Sequence, residues 1–293
     1  MWKPCTLTWR MTIANKRYTT MEKKYRLLEN DTITINGRTL YRIEALRDFA
    51  DVLKGDKGGY VESEDNLSHV GNCWVYGNAA VYGKAVVYGE AEVCGKARVY
   101  GKAVVYGEAM VYDKAVVYGE AEVCGEAEVC GEAMVCGKAE VCGEAKVYNN
   151  AMVNENARVY YNAEVCGEAR VYGNAEVCDK AWVHGEAVVC DNAVVCDNAK
   201  VCGNAKVCGN AWVCDDARIS ATADYYVGKN IWSSGRYFTY TRSNKMWKVG
   251  CFYGTGEELI EKAYKDSKVS GREYERVVRY VEAMYADLEK DKE

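Results

Sequence analysis

Three Cys–Asp pairs recur at a spacing of eighteen residues: Cys178-Asp179, Cys196-Asp197 and Cys214-Asp215. Thiols and carboxylates both ligate metals, and carboxylates held close together repel one another in a way that a divalent cation relieves. The opposing account is that aspartate suits tight turns and that an exposed carboxylate ladder is screened by salt. The second account is preferred, and no residue is assigned as a metal ligand. The chain has two histidines, His69 and His184. A general base needs a positioned partner and a water-poor pocket. His184 sits in an outward slot of an unbroken repeat, which offers neither, so no catalytic residue and no cofactor site are assigned. The fifteen cysteines are an odd number in a long chain without a visible export signal, which points to a reduced protein rather than a disulfide framework. The cysteine columns lie within disulfide range of their neighbours, and a reducing compartment argues against pairing.

The elements that position these residues follow from a repeat of six. Valine occupies every sixth position from Val75 to Val213, 24 times without a break, and Ile219 is the next member. Alanine does the same from Ala79 to Ala223, 25 times. Six residues are too few for a helical repeat and do not fit a 3.6 period. Alanine and valine stand two apart, so in an extended segment both point to one side, while the residue between them points to the other. That residue varies freely, as Glu92, Arg98, Val104, Met110, Lys146 and Trp182 show. Glycine follows in most units, replaced mainly by Asp113, Asp179, Asp191, Asp197, Asp215 and Asn149, the residue types that best tolerate positive φ. Three strands and three turns therefore close a triangular coil of eighteen residues, whose strands stack about 4.8 Å apart. The 25 units make about eight coils and a rod of about 40 Å.

The hexads resemble the left-handed parallel β-helix of hexapeptide-repeat proteins, and the segment GGYVESEDNLSHVGNCWVYGNAAVYG at 58–83 resembles the YdcK-like solenoids. The resemblance supplies the left hand. This unit places Tyr or Cys directly after the valine, where the usual hexad has a small residue, and moves the glycine one position later. Hexapeptide folds host acyltransferases, in which a histidine is the general base and loops wall a site between subunits. No insertion breaks the 25 units here, and the carbonic-anhydrase type is excluded because its zinc needs three histidines.

The fold class is mainly β. It comprises a disordered extension at 1–20, an N-terminal cap at 21–68, the solenoid at 69–224 and a C-terminal α+β domain with two helices at 225–293. Met21 opens a segment that reads as a natural beginning. In the cap, Asn36-Gly37 marks a tight hairpin turn, and a short helix is expected near Ala45–Leu53. Beyond Asp224, Arg236–Thr241 and Met246–Phe252 read as strands around a Ser243-Asn244 turn. Thr255-x-x-Glu258 and Ser270-x-x-Glu273 read as capping boxes opening two helices. Stacking at eighteen predicts an amide ladder of Asn156, Asn174, Asn192 and Asn210. It also predicts an alternating column of Glu128, Lys146 and Glu164, and a like-charged edge of Glu90, Glu108, Glu126 and Glu144. The units around Asn149, Asn154, Glu155, Tyr160 and Tyr161 depart from the pattern at their turns.

A net charge of −5 gives no push toward nucleic acid, and no apolar run reaches the length of a membrane span. The expectation is a cytoplasmic, non-catalytic scaffold or protein-interaction module. A phage association is open, and self-association could run through the solenoid's faces or ends. An acyltransferase-like enzyme and a cation-binding solenoid are the competing readings.

Overall fold

The structure is a computed structural model that describes residues 22–290; the segment 1–20, expected above to be a disordered extension, lies outside them. From Trp74–Val75 to Arg218–Ile219 each hexad contributes one two-residue strand, an outward residue followed by the repeat's valine or, last, Ile219. The strands pair in parallel at a register of eighteen: Met110 lies beside Glu92 on one side and Glu128 on the other. Three sheets result, and every repeat Ala and Val from Val75 to Ile219 is sealed from solvent, whereas Ala223, the last alanine of the row, is exposed in the turn after the final strand. Three backbone bonds per hexad tie coil to coil. Glu92 donates to Ala109 at 2.9 Å, Cys94 to Val111 at 2.9 Å and Lys96 to Asp113 at 2.6 Å. The interior therefore contributes hydrophobic burial, while the ladder satisfies the backbone that surrounds it.

The turn slot holds positive φ throughout the shaft, at glycine and non-glycine residues alike: Gly101 is at 80°, Asp179 at 59°, Glu155 at 60° and Tyr161 at 58°. Glu155 and Tyr161 bear the steric cost that glycine avoids. A Cβ built at Gly101 would lie 2.9 Å from the amide nitrogen of Gly119, so this slot faces the backbone of the next coil. Aspartate uses that direction. Asp113 accepts from the Gly131 N–H at 3.2 Å, Asp179 from Asp197 at 3.4 Å, Asp191 from Gly209 at 2.9 Å and Asp197 from Asp215 at 3.2 Å.

The sequence count of about eight coils falls one short of the nine observed. β1 (Tyr25–Ile35) and β2 (Arg38–Ala45) form the expected hairpin through Asn36-Gly37. β3 (Lys57–Val61) pairs antiparallel with β2 and parallel with Ala80–Val81. Leu67 bridges Val87 in parallel. With Trp74–Val75 these segments make a first coil that begins inside 21–68. Two extra residues separate Val61 from Val81 and Leu67 from Val87, so a strict period of six passes over this coil. The helix expected near Ala45–Leu53 is a turn instead. Phe49 and Val52 bridge each other, and the carboxylates of Asp48 and Asp56 take the N–H groups of Lys54 and Leu53 at 2.7 and 2.8 Å. Side-chain acceptors of this kind compete with helical hydrogen bonds.

The C-terminal domain is a four-stranded antiparallel sheet, Tyr225–Lys229, Tyr237–Thr241, Met246–Val249 and Phe252–Gly254, covered by α1 (Gly256–Asp266) and α2 (Lys268–Lys290). It has two more strands than expected: Tyr225–Lys229 is added, and Gly250 at φ 58° splits the last one. The Thr255 box forms, with Glu258 N–H donating to Oγ1 at 3.3 Å and Thr255 N–H to Glu258 Oε2 at 2.8 Å. The second cap does not fall at Ser270. The helix starts three residues earlier, where the Ser267 hydroxyl accepts from the Ser270 N–H at 3.0 Å. Packing explains the shift: Gly271 lies against Tyr264, where an added Cβ would be 2.3 Å from the ring. Trp247, Tyr274, Val278, Val281 and Tyr285 fill the core.

This domain is keyed to the last coil. A solenoid ends in unpaired strand donors, and here side-chain hydroxyls take them. Trp212 donates to Thr239 Oγ1 at 2.9 Å, Arg218 to Ser243 Oγ at 2.7 Å and Cys208 to the Tyr225 hydroxyl at 3.2 Å; Lys206 donates to Thr222 Oγ1 at 3.4 Å, in the turn just before the domain. Among the described residues no helix is long and apolar enough to cross a membrane.

Candidate thiol and carboxylate column

The stacking brings Cys178, Cys196 and Cys214 into one nearly buried cluster flanked by Tyr160, Val194 and Tyr253. Each cysteine directly follows a valine, so its side chain lies outside the shaft, and the turn aspartate comes next. The Cys178 thiol donates to Asp179 Oδ2 at 3.3 Å and the Cys196 thiol to Asp197 Oδ2 at 3.5 Å. Donor atoms of Cys178, Asp179 and Cys196 all lie within 4.8 Å of one another, as do those of Cys196, Asp197 and Cys214. A third group of the same make-up, Cys190, Asp191 and Cys208, occupies another edge.

The Trp212 indole donates its N–H to Cys196 Sγ at 3.2 Å, and Trp182 donates likewise to Cys166 at 3.2 Å. Hydrogen bonding from Cys178 and then Cys214, with the indole adding to it, pulls the Cys196 thiol down toward thiolate against the opposing effect of burial. The same bonds, followed by burial, push Cys178 and Cys214 up. Burial holds the Asp197 carboxyl above its usual range. The carboxylate repulsion expected from the sequence is weaker than a bare ladder would give, because amide donors meet Asp179 and Asp197 from the following coil.

The histidines stand apart from this column's chemistry. His184 packs on Trp182 with ring centroids 4.2 Å apart. Burial, then the Lys200 charge, holds its pKa below the ordinary value. His69 stacks on Tyr25 at 4.3 Å, accepts the Lys24 N–H on Nδ1 at 3.2 Å and faces Glu64 with Nε2 at 3.6 Å. Because Nδ1 accepts, the neutral ring carries its proton on Nε2, and no lone pair is left to serve as a base.

A cluster at the cap was not read from the sequence. The Lys24 side chain is fully enclosed, its ammonium donating to Cys73 O at 2.7 Å, Gly71 O at 3.2 Å and Cys73 Sγ at 3.3 Å. It closes the open end of the first coil by satisfying carbonyls that have no strand above them, and burial lowers its pKa. The available signal was Cys73, which stands six residues before Ala79, in the slot alanine holds in every later unit. The predicted surface columns form in part as expected. Asn156 donates to Asn174 at 3.1 Å and Asn174 to Asn192 at 3.2 Å, and Lys146 pairs with Glu128 at 2.8 Å.

Together these features define a parallel β-solenoid of hexads, plugged at one end by a cap and keyed at the other to an α+β domain. Comparison with known proteins agrees over part of the chain. A family model described as the YdcK β-solenoid repeat matches residues 145–161. The protein named uncharacterized acetyltransferase YdcK, from Escherichia coli (strain K12), is 38% identical over 61 residues, 18% of this chain and 19% of its own length. The chain thus spans about a fifth of the curated relative it matches. This finding corrects the expectation that the chain is not an enzyme. The similar protein carries an acetyltransferase name, so catalysis is not excluded by the fold.

Proposed function

We propose that the chain is a rigid interaction module in which the solenoid fixes the position of the C-terminal domain, and that this domain selects a protein partner. The observation that carries the reading is the hydroxyl-capped joint at Trp212, Arg218 and Cys208. It holds the domain to a shaft whose interior is uniform and uninterrupted. Ile231, 85% exposed, and Tyr280, 62% exposed, are apolar groups on that domain that serve neither core nor joint. The fourteen free cysteines among the described residues suit a reducing compartment such as the cytoplasm.

The test is affinity capture with the full chain and with an Ile231→Glu/Tyr280→Glu variant. A stoichiometric partner held by the first and lost by the second supports the proposal. The same captured set from both sinks it.

The relative's name favours a second reading, acyl transfer from acetyl-coenzyme A. Its assay is chromatographic detection of free coenzyme A against a panel of amine and hydroxyl acceptors. Thiol reagents are unsuitable for a chain with fifteen cysteines. Turnover by the full chain above a no-protein control establishes this reading, and none across the panel removes it.

A further inference from the structure

We propose that the Cys196 column is a binding site for one thiophilic divalent ion of the zinc class, held by Cys196 with either Cys178 and Asp179 or Cys214 and Asp197. The donor set is two sulfurs and one carboxylate oxygen within 4.8 Å of one another on either side of Cys196. Soft thiolates, with a carboxylate that borderline zinc also accepts, select zinc-like ions over magnesium or calcium. A tetrahedral zinc, with bonds of about 2.3 Å to sulfur and about 2.1 Å to oxygen, sets those two ligands about 3.6 Å apart. The Cys178–Asp179 and Cys196–Asp197 pairs already stand at 3.3 and 3.5 Å. The same geometry places two sulfurs about 3.8 Å apart, so the neighbouring thiols need to close by at most about 1 Å. Coil stacking alone therefore delivers most of the ligand geometry, and the ion takes the place of the proton now shared between thiol and carboxylate.

A second observation, independent of the ligand spacing, distinguishes Cys196 from Cys178 and Cys214. The Trp212 indole aims its N–H at that sulfur from 3.2 Å, the arrangement by which outer groups stabilise a metal-bound thiolate. Lys248 lies over the same indole at 4.2 Å from the ring centroid. Its positive charge offsets part of the excess negative charge that two thiolates and a carboxylate bring to a dication. Cys124 and Cys142 stack in the same way farther along this same edge, beyond Tyr160, but have Gly125 and Gly143 where the carboxylates would be, which makes them an internal control. The site does not depend on the interaction reading above.

The experiment is zinc titration of the full chain, reduced with a phosphine and freed of metal, followed calorimetrically in two buffers of different ionisation enthalpy. The proposal expects the wild type to bind one ion more than Cys196→Ser. That ion should release protons near neutral pH as the ligating thiols ionise. Cobalt(II) in its place should give a sulfur-to-metal charge-transfer band that Cys196→Ser lacks. Trp212→Phe should weaken the site about tenfold, and Cys124→Ser/Cys142→Ser should leave the stoichiometry unchanged. Should Cys196→Ser fail to fold by circular dichroism, Asp179→Asn/Asp197→Asn keeps the thiols and an acceptor for the amides, and is expected to lose at least about tenfold in affinity. Equal uptake by wild type and Cys196→Ser overturns the proposal. So does unchanged affinity in the aspartate double variant, or a Cys178–Cys196 disulfide that persists after phosphine reduction.

Discussion

Replacing Thr239 by valine removes one hydroxyl and nearly preserves shape, and it isolates what the joint between shaft and domain contributes. Thr239 is 1% exposed and its Oγ1 takes the Trp212 N–H at 2.9 Å. Without it a partly buried donor of the last coil has no protein acceptor, at a cost of about 1–3 kcal/mol. The methyl group that replaces the hydroxyl returns less than about 1 kcal/mol of burial. The expected net loss is about 1–2 kcal/mol. The comparison is Ser243→Ala, which removes the acceptor of the Arg218 N–H at 2.7 Å. That pair is exposed, so water replaces the hydroxyl and the loss stays within about 0.5 kcal/mol. Urea denaturation gives the two stabilities. Because a solenoid frays from its ends, amide exchange at Trp212 should quicken more than exchange in middle coils such as Val147. If Thr239→Val costs no more than Ser243→Ala, or if exchange at Trp212 is unchanged, the hydroxyls do not cap the coil and the argument for a rigid joint fails.

Three further outcomes follow from the same structure. Val147→Ala opens a cavity in a fully enclosed slot and should lower stability by about 2 kcal/mol in urea denaturation. Tyr161→Gly relieves a side chain held at φ 58° and should raise stability by about 0.5–1 kcal/mol, since the relieved strain exceeds the added freedom of the unfolded chain; a loss of stability would show that the Tyr160–Tyr161 contact matters more. Asp224 is opposed by burial, yet the amides of Ser220 and Ala221 and the Ser220 hydroxyl, at 2.7–2.8 Å, hold its pKa below 3.8 in the folded chain. A depressed carboxylate adds stability above its unfolded pKa and sheds it as pH falls through the folded one. Asp224→Asn should therefore be less stable than wild type at pH 7, with the gap shrinking below about pH 3.8; a gap independent of pH would refute the linkage.

The shaft was legible because its rule is local. Alanine and valine two apart, with glycine or aspartate at the turn, determine the strand, the inward face and the bend without reference to distant residues. The first coil was missed where the period slips by two, and Lys24, in a run of charged residues, gives no sign of being enclosed. Ser270 had the right neighbours for a cap, but the contact between Gly271 and Tyr264 set the helix start three residues earlier.

The sequence by itself therefore determined the coil, its register of eighteen and the identity of each stacked column, because a repeat of six leaves one way to bury alanine and valine together. Only the tertiary structure decided what those columns do. Whether an aspartate faces water, an amide or a thiol depends on the backbone one coil away, and whether a terminal donor is satisfied depends on a hydroxyl from the sheet beyond the last coil. These are distances between residues that no local pattern relates.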